Sequence, residues 1–235
     1  HIPYGDLDAA TRALEGRTAC CIIVEPIQAE GGIIVPPPGY LAGLRRLCDD
    51  TGTILIFDEV QTGIGRTGKL FGHEHEGVTP DVMTLAKGLA GGVPIGAMLV
   101  TERVAGALGP GSHGTPFGGN PLATAAGVAV FRTLLDERLV ERAAAVGRHF
   151  LEALRGLAAR HPGAVRDVRG KGLLIGLELA EGLTAADIVK RAMADGFLVA
   201  SAGPQVVRFV PPLVIAEEDV DRLVAALDRY LGDRA

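Results

Sequence analysis

The sequence predicts an α/β fold: a mostly parallel sheet with flanking helices over residues 1–135, then a small α+β domain over residues 136–235. Three observations carry the prediction. Two short β-branched runs, ending at Val24 and Phe57, flank an amphipathic stretch of helical period, which makes a βαβ unit and a parallel pair. Each run leads straight into an acid, Glu25 after the first and Asp58 after the second. Beyond His161-Pro162 the pattern changes to short strands alternating with two helices.

Taken in order, Asp6 to Leu14 reads as a short helix with Asp6 as its N-cap. Thr18 to Val24 reads as a buried strand, and Glu30-Gly31-Gly32 lies in the loop after it. Pro36 to Tyr40 makes a turn. A helix runs from there to about Asp50, with Leu41, Leu44, Leu47 and Cys48 on one face, and Thr51-Gly52 breaks it. Ile54 to Phe57 forms a second buried strand and runs into Asp58 and Glu59. Val82 to Ala86 is a third strand and delivers Lys87, with Gly88, Gly91 and Gly92 behind it. Ile95 to Val100 is a fourth.

Asn120 and Pro121 suit the N-cap and first position of a helix. Helical sequence extends from there to about Ala159, with a break near Asp136. Val165 to Leu179 is a strand pair or one bent strand. Thr184 to Asp195 is a helix, and Leu198 to Ser201 and Val206 to Pro212 are strands. A closing helix spans Glu217 to Leu231, with Val220, Leu223, Val224 and Leu227 inward.

Composition removes several classes of function. Nearly half of the 235 residues are hydrophobic, enough for a core, and the net charge of −5 with no Lys/Arg run leaves no basis for binding nucleic acid or an anionic membrane. No apolar run approaches the ~18 residues of a membrane span. Three cysteines, two of them the adjacent Cys20 and Cys21, match neither a zinc pattern nor a disulfide framework, so a reducing, cytoplasmic setting is expected.

Two local motifs fail on context. Gly63-Ile64-Gly65-Arg66-Thr67-Gly68 matches the dinucleotide pattern GxGxxG, but Gln61-Thr62 separates it from the strand and no helical period follows. A glycine-rich loop beside a ligand suits it better. In His73-Glu74-His75-Glu76 the histidines are two apart, not four as in a helical HExxH, so the stretch reads as a solvated loop and no metal site is expected.

Asp58 and Lys87 are 29 residues apart (87 − 58), room for a loop and another strand. Ligands of open α/β sheets bind beyond the carboxyl ends of the strands. An acid and a lysine there suit pyridoxal 5'-phosphate (PLP), which needs a Lys for its Schiff base and an acid to keep the pyridine nitrogen protonated. The same two residues also read as a salt bridge or as surface charges. Glu25 reads as a structural hydrogen-bonding group at the sheet edge or as a catalytic acid. Arg208, a single charge in an apolar strand, reads as a charge on the exposed side of an edge strand or as a binder of carboxylate.

Four stretches stand in one order: Val24-Glu25-Pro26-Ile27-Gln28-Ala29-Glu30-Gly31-Gly32, Asp58-Glu59-Val60-Gln61 through Gly68, Leu85-Ala86-Lys87-Gly88, and His113 through Thr115-Pro116 to Asn120-Pro121-Leu122. Together they resemble the class III aminotransferases of PLP fold type I, above all the acetylornithine type and its lysine-biosynthesis relatives. The resemblance runs from the start of the chain to about Leu231. It implies that residues 1–135 are the remainder of a PLP-binding large domain. It also implies a preceding N-terminal segment with a phosphate-binding turn, a ring-stacking aromatic and a carboxylate-binding Arg, none of which has a counterpart before Cys20.

The resemblance further implies roles. Lys87 and Asp58 are the catalytic pair and hold PLP, with Glu59, Val60 and Gln61 beside them: Val60 packs on the ring and Gln61 bonds its phenolic oxygen. The loop of Thr115 and Pro116 reaches the phosphate and substrate of a partner subunit, which implies a homodimer with its active site at the interface. The family has two adjacent hydroxyl residues in that loop. Pro116 offers neither a hydroxyl nor an N–H, which leaves Thr115 to take over the contact. Glu30 and Arg208 sort two substrates. The implied reaction is ping-pong transamination between the terminal amine of an N-acylated diamino acid, N2-acetylornithine first, and 2-oxoglutarate, in arginine or lysine biosynthesis. A carrier-protein-linked amine of the aminoadipate semialdehyde pathway, ornithine and succinyldiaminopimelate are the alternative donors. A catalytically silent fragment or scaffold is the alternative of another class, opposed by the intact Lys87 and Asp58.

Overall fold

The computed structural model describes residues 1–16 and 19–232, so Thr18, expected to open a strand, lies outside the described residues. These residues form two compact units. The first comprises His1–Pro26, Pro36–Ile64 and Leu70–Glu137; the second comprises Ile27–Val35, Gly65–Lys69 and the chain from Arg138 onward. Two short segments of the stretch 1–135 therefore fall in the second unit.

The first unit opens with α1 (Leu7–Leu14), whose N-terminus is closed by Asp6 Oδ1 accepting from Ala9 N at 2.8 Å. Strand β1 (Cys21–Val24) follows, then α2 (Tyr40–Thr51), which ends at Gly52 in the left-handed conformation at φ +74°. Strands β2 (Ile54–Asp58), β3 (Val82–Leu85) and β4 (Ala97–Val100) complete a sheet in the order β1-β2-β3-β4. The first three are parallel and β4 is antiparallel to β3. A short helix α3 (Glu102–Ala105) and α4 (Pro121–Asp136) close the unit, with Asn120 Oδ1 capping α4 at Ala123 N. Leu41, Leu44 and Cys48 of α2 pack with the fully buried Leu55 and Phe57 of β2, as their spacing requires.

Burial departs from the sequence reading at the strands. In β2 only alternate residues, Leu55 and Phe57, are closed off. In β1 the outward pair Cys21 and Ile23 is exposed, Ile23 to 64%. The cause is strand order: β1 is an edge strand of the described residues, and an apolar run does not say which strands flank it.

The second unit holds α5 (Leu139–Arg160), β5 (Val165–Lys171), β6 (Leu174–Leu179), α6 (Ala185–Ala194), β7 (Ala200–Ser201), β8 (Val206–Phe209) and α7 (Glu217–Gly232). Its sheet is antiparallel in the order β5-β6-β8-β7, and Val165 to Leu179 is a hairpin rather than one bent strand. The strand expected from Leu198 shrinks to Ala200–Ser201, with Leu198 itself 87% exposed. Phe150 of α5 and Phe209 of β8 pack with ring centroids 5.1 Å apart in a core shared with Leu177, Ile188, Val220 and Leu227. Each such fully buried side chain contributes roughly 1.5–3 kcal/mol. The segment 65–69 is tied to this unit by Arg66, whose buried guanidinium donates to Leu173 O at 3.2 Å and Pro211 O at 2.5 Å. Burial pulls its pKa down to about 10.

Candidate active site

In the first unit, strand register turns the 29-residue spacing into proximity along one edge. Asp58 ends β2, and its partner across the parallel pair is Thr84 of β3. Lys87 stands three residues past Thr84, at the same carboxyl edge of the sheet. Asp58 Oδ1 accepts from Val60 N at 3.0 Å and from Thr84 Oγ1 at 3.4 Å, so the fold holds one oxygen of the carboxylate. Lys87 is exposed and opens a short 3₁₀ turn, Lys87–Ala90. Its backbone sits at φ +46°, and Ile64 nearby sits at φ +55°. Left-handed backbone is uncommon outside glycine and a genuine outlier for a β-branched residue. Such backbone persists only where the surrounding structure holds it. A side chain added at Gly88 would meet Ile64 at 3.7 Å, which shows how closely the two strained segments approach.

Val60 and Gln61 follow Asp58 in a turn and are partly exposed. The resemblance implies Glu59 beside them as a cofactor contact. It is completely buried, and both of its oxygens are occupied from within the unit by Thr62, Gly72 and His73. Successive residues of an extended chain point to opposite faces, so Asp58 and Glu59 diverge. His73, expected in a solvated loop, instead has a side chain only 13% exposed. Thr115 and Pro116 lie in an exposed loop where Thr115 Oγ1 accepts from Gly118 N at 3.2 Å. Glu25 follows β1 at the carboxyl edge, and its carbonyl accepts from Tyr4 Oη at 2.9 Å.

The second unit brings Glu30 and Arg208 together. Glu30 sits at the tip of a loop closed by paired hydrogen bonds between Gln28 and Ile34. Arg169 braces that loop by donating to Gly32 O at 2.7 Å and Ile33 O at 2.9 Å, and is itself paired with Asp167 and Glu178. Ile33 there adopts φ +52°. Arg208 Nη1 reaches Glu30 Oε1 at 2.5 Å. The edge-strand reading of Arg208 is overturned: β8 lies between β6 and β7, with Arg208 opposite Gly176 on one side and Ala200 on the other. Thr84, Thr62, Arg169 and the pairing of His73 with Glu59 escaped the sequence reading. Only strand register would have exposed Thr84, and nothing local marks the others.

Residues 6–231 match the family model of class III aminotransferases, and the chain belongs to that family. It is 48% identical over its whole length to the acetylornithine aminotransferase of Mycolicibacterium smegmatis, covering 59% of that protein. It is 49% identical to the acetylornithine aminotransferase of Mycobacterium tuberculosis, covering 57% of it. Among solved structures, an ornithine aminotransferase from Plasmodium yoelii matches 98% of this chain, which covers 61% of that one, with a TM-score of 0.94 at 39% identity. The acetylornithine aminotransferase of Elizabethkingia anophelis matches 99% of the chain, which covers 59% of it, with a TM-score of 0.90 at 36% identity. The α/β fold is thus that of aminotransferase structures, and the chain spans less than two thirds of the length of these relatives.

Proposed function

We propose that the protein is a PLP-dependent transaminase. It moves the terminal amine of N2-acetylornithine to 2-oxoglutarate and gives a semialdehyde and glutamate. The observation that carries the reading is the register of β2 and β3, which sets Asp58 and the strained Lys87 along one carboxyl edge. The residues fit the cofactor. Asp58 has one oxygen committed to Val60 and Thr84 and a second for a pyridinium N–H, and Lys87 is an exposed amine beside glycine.

Bound PLP supplies an electron sink for charge developing at the substrate carbon. The chain's own groups do the rest. Lys87 Nζ would hold the cofactor and, once released, move the proton from the substrate carbon. The Asp58 carboxylate would keep the ring nitrogen protonated by its opposite charge. Val60 would pack on the ring, Gln61 would donate to its phenolic oxygen, and Thr115 would serve the phosphate in place of Pro116. Arg208 would take the carboxylate of glutamate or 2-oxoglutarate through its planar fork, with Glu30 occupying it for the amine donor.

Identity of 48–49% to the acetylornithine aminotransferases of Mycolicibacterium smegmatis and Mycobacterium tuberculosis supports N2-acetylornithine as the donor; the solved structures, 39% identical for an ornithine and 36% for an acetylornithine aminotransferase, do not separate it from free ornithine. We further propose a cytoplasmic homodimer whose Thr115 loops serve the partner, acting in arginine or lysine biosynthesis. The test is donor preference of the whole enzyme. kcat/KM should be highest for N2-acetylornithine among that donor, ornithine and succinyldiaminopimelate. A preference for free ornithine would replace the donor, and no transamination with any of them would leave the carrier-protein-linked amine and the silent-scaffold reading, which the uptake of PLP separates.

A further inference from the structure

Glu59 is a buried carboxylate that meets only donors. Oε1 accepts from His73 N and His73 Nδ1, both at 2.8 Å; Oε2 accepts from Gly72 N at 2.8 Å and from the Thr62 hydroxyl. The His73 ring is fixed in turn. Phe71 stacks on it at 5.7 Å and 7° between planes, and Phe57 lies at 5.8 Å. An acceptor at Oε1 requires the proton on Nδ1, so the tautomer is set. Burial pushes the Glu59 carboxyl up, but hydrogen bonds from His73, Thr62 and the two backbone N–H groups outweigh it, and the pKa is lowered. The group is an anion inside the fold.

The main chain of Glu59 is held as firmly. Its N–H donates to Thr84 O at 3.0 Å, and its carbonyl accepts from Gly63 N at 2.9 Å. The flanking residues depend on this anchor: Val60 N, which holds Asp58 Oδ1, is the next amide along. Asp58, Val60 and Gln61 therefore project from a turn whose inner side is pinned by one carboxylate to residues 62, 72 and 73.

We propose that Glu59, held by His73 and Thr62, is a positioning residue that fixes the turn Asp58–Gln61 for the bound cofactor. The inference rests on the PLP reading above. It makes Glu59 a support for the contact residues rather than a contact itself. It also predicts that charge matters beyond size. A glutamine in this place must turn its amide nitrogen toward the N–H of either Gly72 or His73, and neither can accept. An asparagine at position 73, by contrast, keeps a donor near the place of Nδ1.

The experiment uses the whole enzyme with Glu59→Gln, His73→Ala and His73→Asn. Four quantities are read: PLP affinity by absorbance titration, visible circular dichroism of bound PLP, kcat and KM for the amine donor, and the melting temperature without PLP. Glu59→Gln and His73→Ala should weaken PLP binding by ~10-fold or more, the scale of losing an orienting partner behind a bound group. They should also change the visible dichroism and lower kcat more than they raise KM. His73→Asn should restore PLP affinity and dichroism close to wild type. If Glu59→Gln does not fold, the contrast between Ala and Asn at position 73 decides. Variants with wild-type affinity and dichroism, altered only in melting temperature, overturn the positioning role while the PLP reading stands. A wild-type protein that takes up no PLP overturns both.

Discussion

Arg208 and Glu30 form an asymmetric ion pair: the arginine side chain is 13% exposed and the glutamate side chain 66%. Arg208 is fixed on an inner strand, whereas Glu30 stands at the tip of a loop. A pair with one member this exposed contributes only ~0–1 kcal/mol. Glu30 can therefore leave at little cost while Arg208 stays. Such a pair suits the exchange of two substrates proposed above.

Truncating either member should affect the two half-reactions differently. Arg208→Ala removes the planar fork, and losing a desolvated Arg–carboxylate contact costs ~2–5 kcal/mol. The half-reaction with glutamate or 2-oxoglutarate should suffer most. Glu30→Ala leaves Arg208 open and should shift preference toward glutamate. Stopped-flow half-reactions measure both. Equal losses in both half-reactions would make the two residues structural.

Lys87 should be the residue that carries the cofactor. Borohydride reduction of the PLP-loaded enzyme, followed by peptide mass spectrometry, should find the label there. Label on Lys69, Lys171 or Lys190 would remove the assignment.

Asp58→Asn keeps the size of the side chain and removes its charge. The variant should still bind PLP, while proton transfer slows by ~10² or more, the scale of losing one positioned electrostatic contact. Near-normal single-turnover rates would mean that another group tunes the ring.

Much of this was legible in the sequence because it is local. The caps at Asp6 and Asn120 and the inward face Val220, Leu223, Val224 and Leu227 follow from spacing and hydrogen-bonding chemistry, and the structure contains them. What escaped depends on neighbours. Whether Ile23 is covered, or Arg208 lies on an edge, is decided by strand order, which no single run encodes. The burial of Glu59 was not legible because its partner His73 is fourteen residues away, in a stretch whose polarity looks solvated. The left-handed backbone of Ile33, Ile64 and Lys87 gave no signal, since these residues ordinarily avoid it.

Acid should destabilise the first unit through Asp81. Its Oδ2 accepts from Leu55 N at 2.8 Å and from Arg45 Nη1 at 2.9 Å. Burial raises the Asp81 pKa, but the Leu55 and Arg45 bonds and the charges of Arg45 and Arg103 outweigh it, and the pKa is lowered. A lowered carboxyl pKa contributes stability above the unfolded value of ~3.9 that is lost as pH falls through the folded value. Asp81→Asn should cost ~1–3 kcal/mol at pH 7 and flatten the loss of stability below about pH 4. Urea titrations at pH 7 and pH 3.5 test this. An unchanged acid slope in the variant would place the sensitive group elsewhere.

Two glycines of α5 should respond to alanine with opposite signs. In an ordinary helix interior Gly→Ala gains ~1 kcal/mol, since glycine loses more backbone freedom on folding. Gly156 meets that case: an added Cβ would find only the flexible end of Arg160, Nη1 at 3.7 Å. Gly147 does not. Its Cβ would lie 2.3 Å from Gly172 O and 2.6 Å from Gly172 Cα, in the turn between β5 and β6. Gly172 cannot yield, because it sits at φ +54° and a Cβ of its own would meet Thr67 C at 2.3 Å. Backbone therefore packs on backbone from α5 through the hairpin turn to the segment 65–69. Overpacking of this kind costs ~1–3 kcal/mol or more, which outweighs the helix gain. Thermal unfolding should rank Gly156→Ala above wild type and Gly147→Ala below it. A Gly147→Ala variant as stable as wild type would mean that the helix and the hairpin turn can separate without loss.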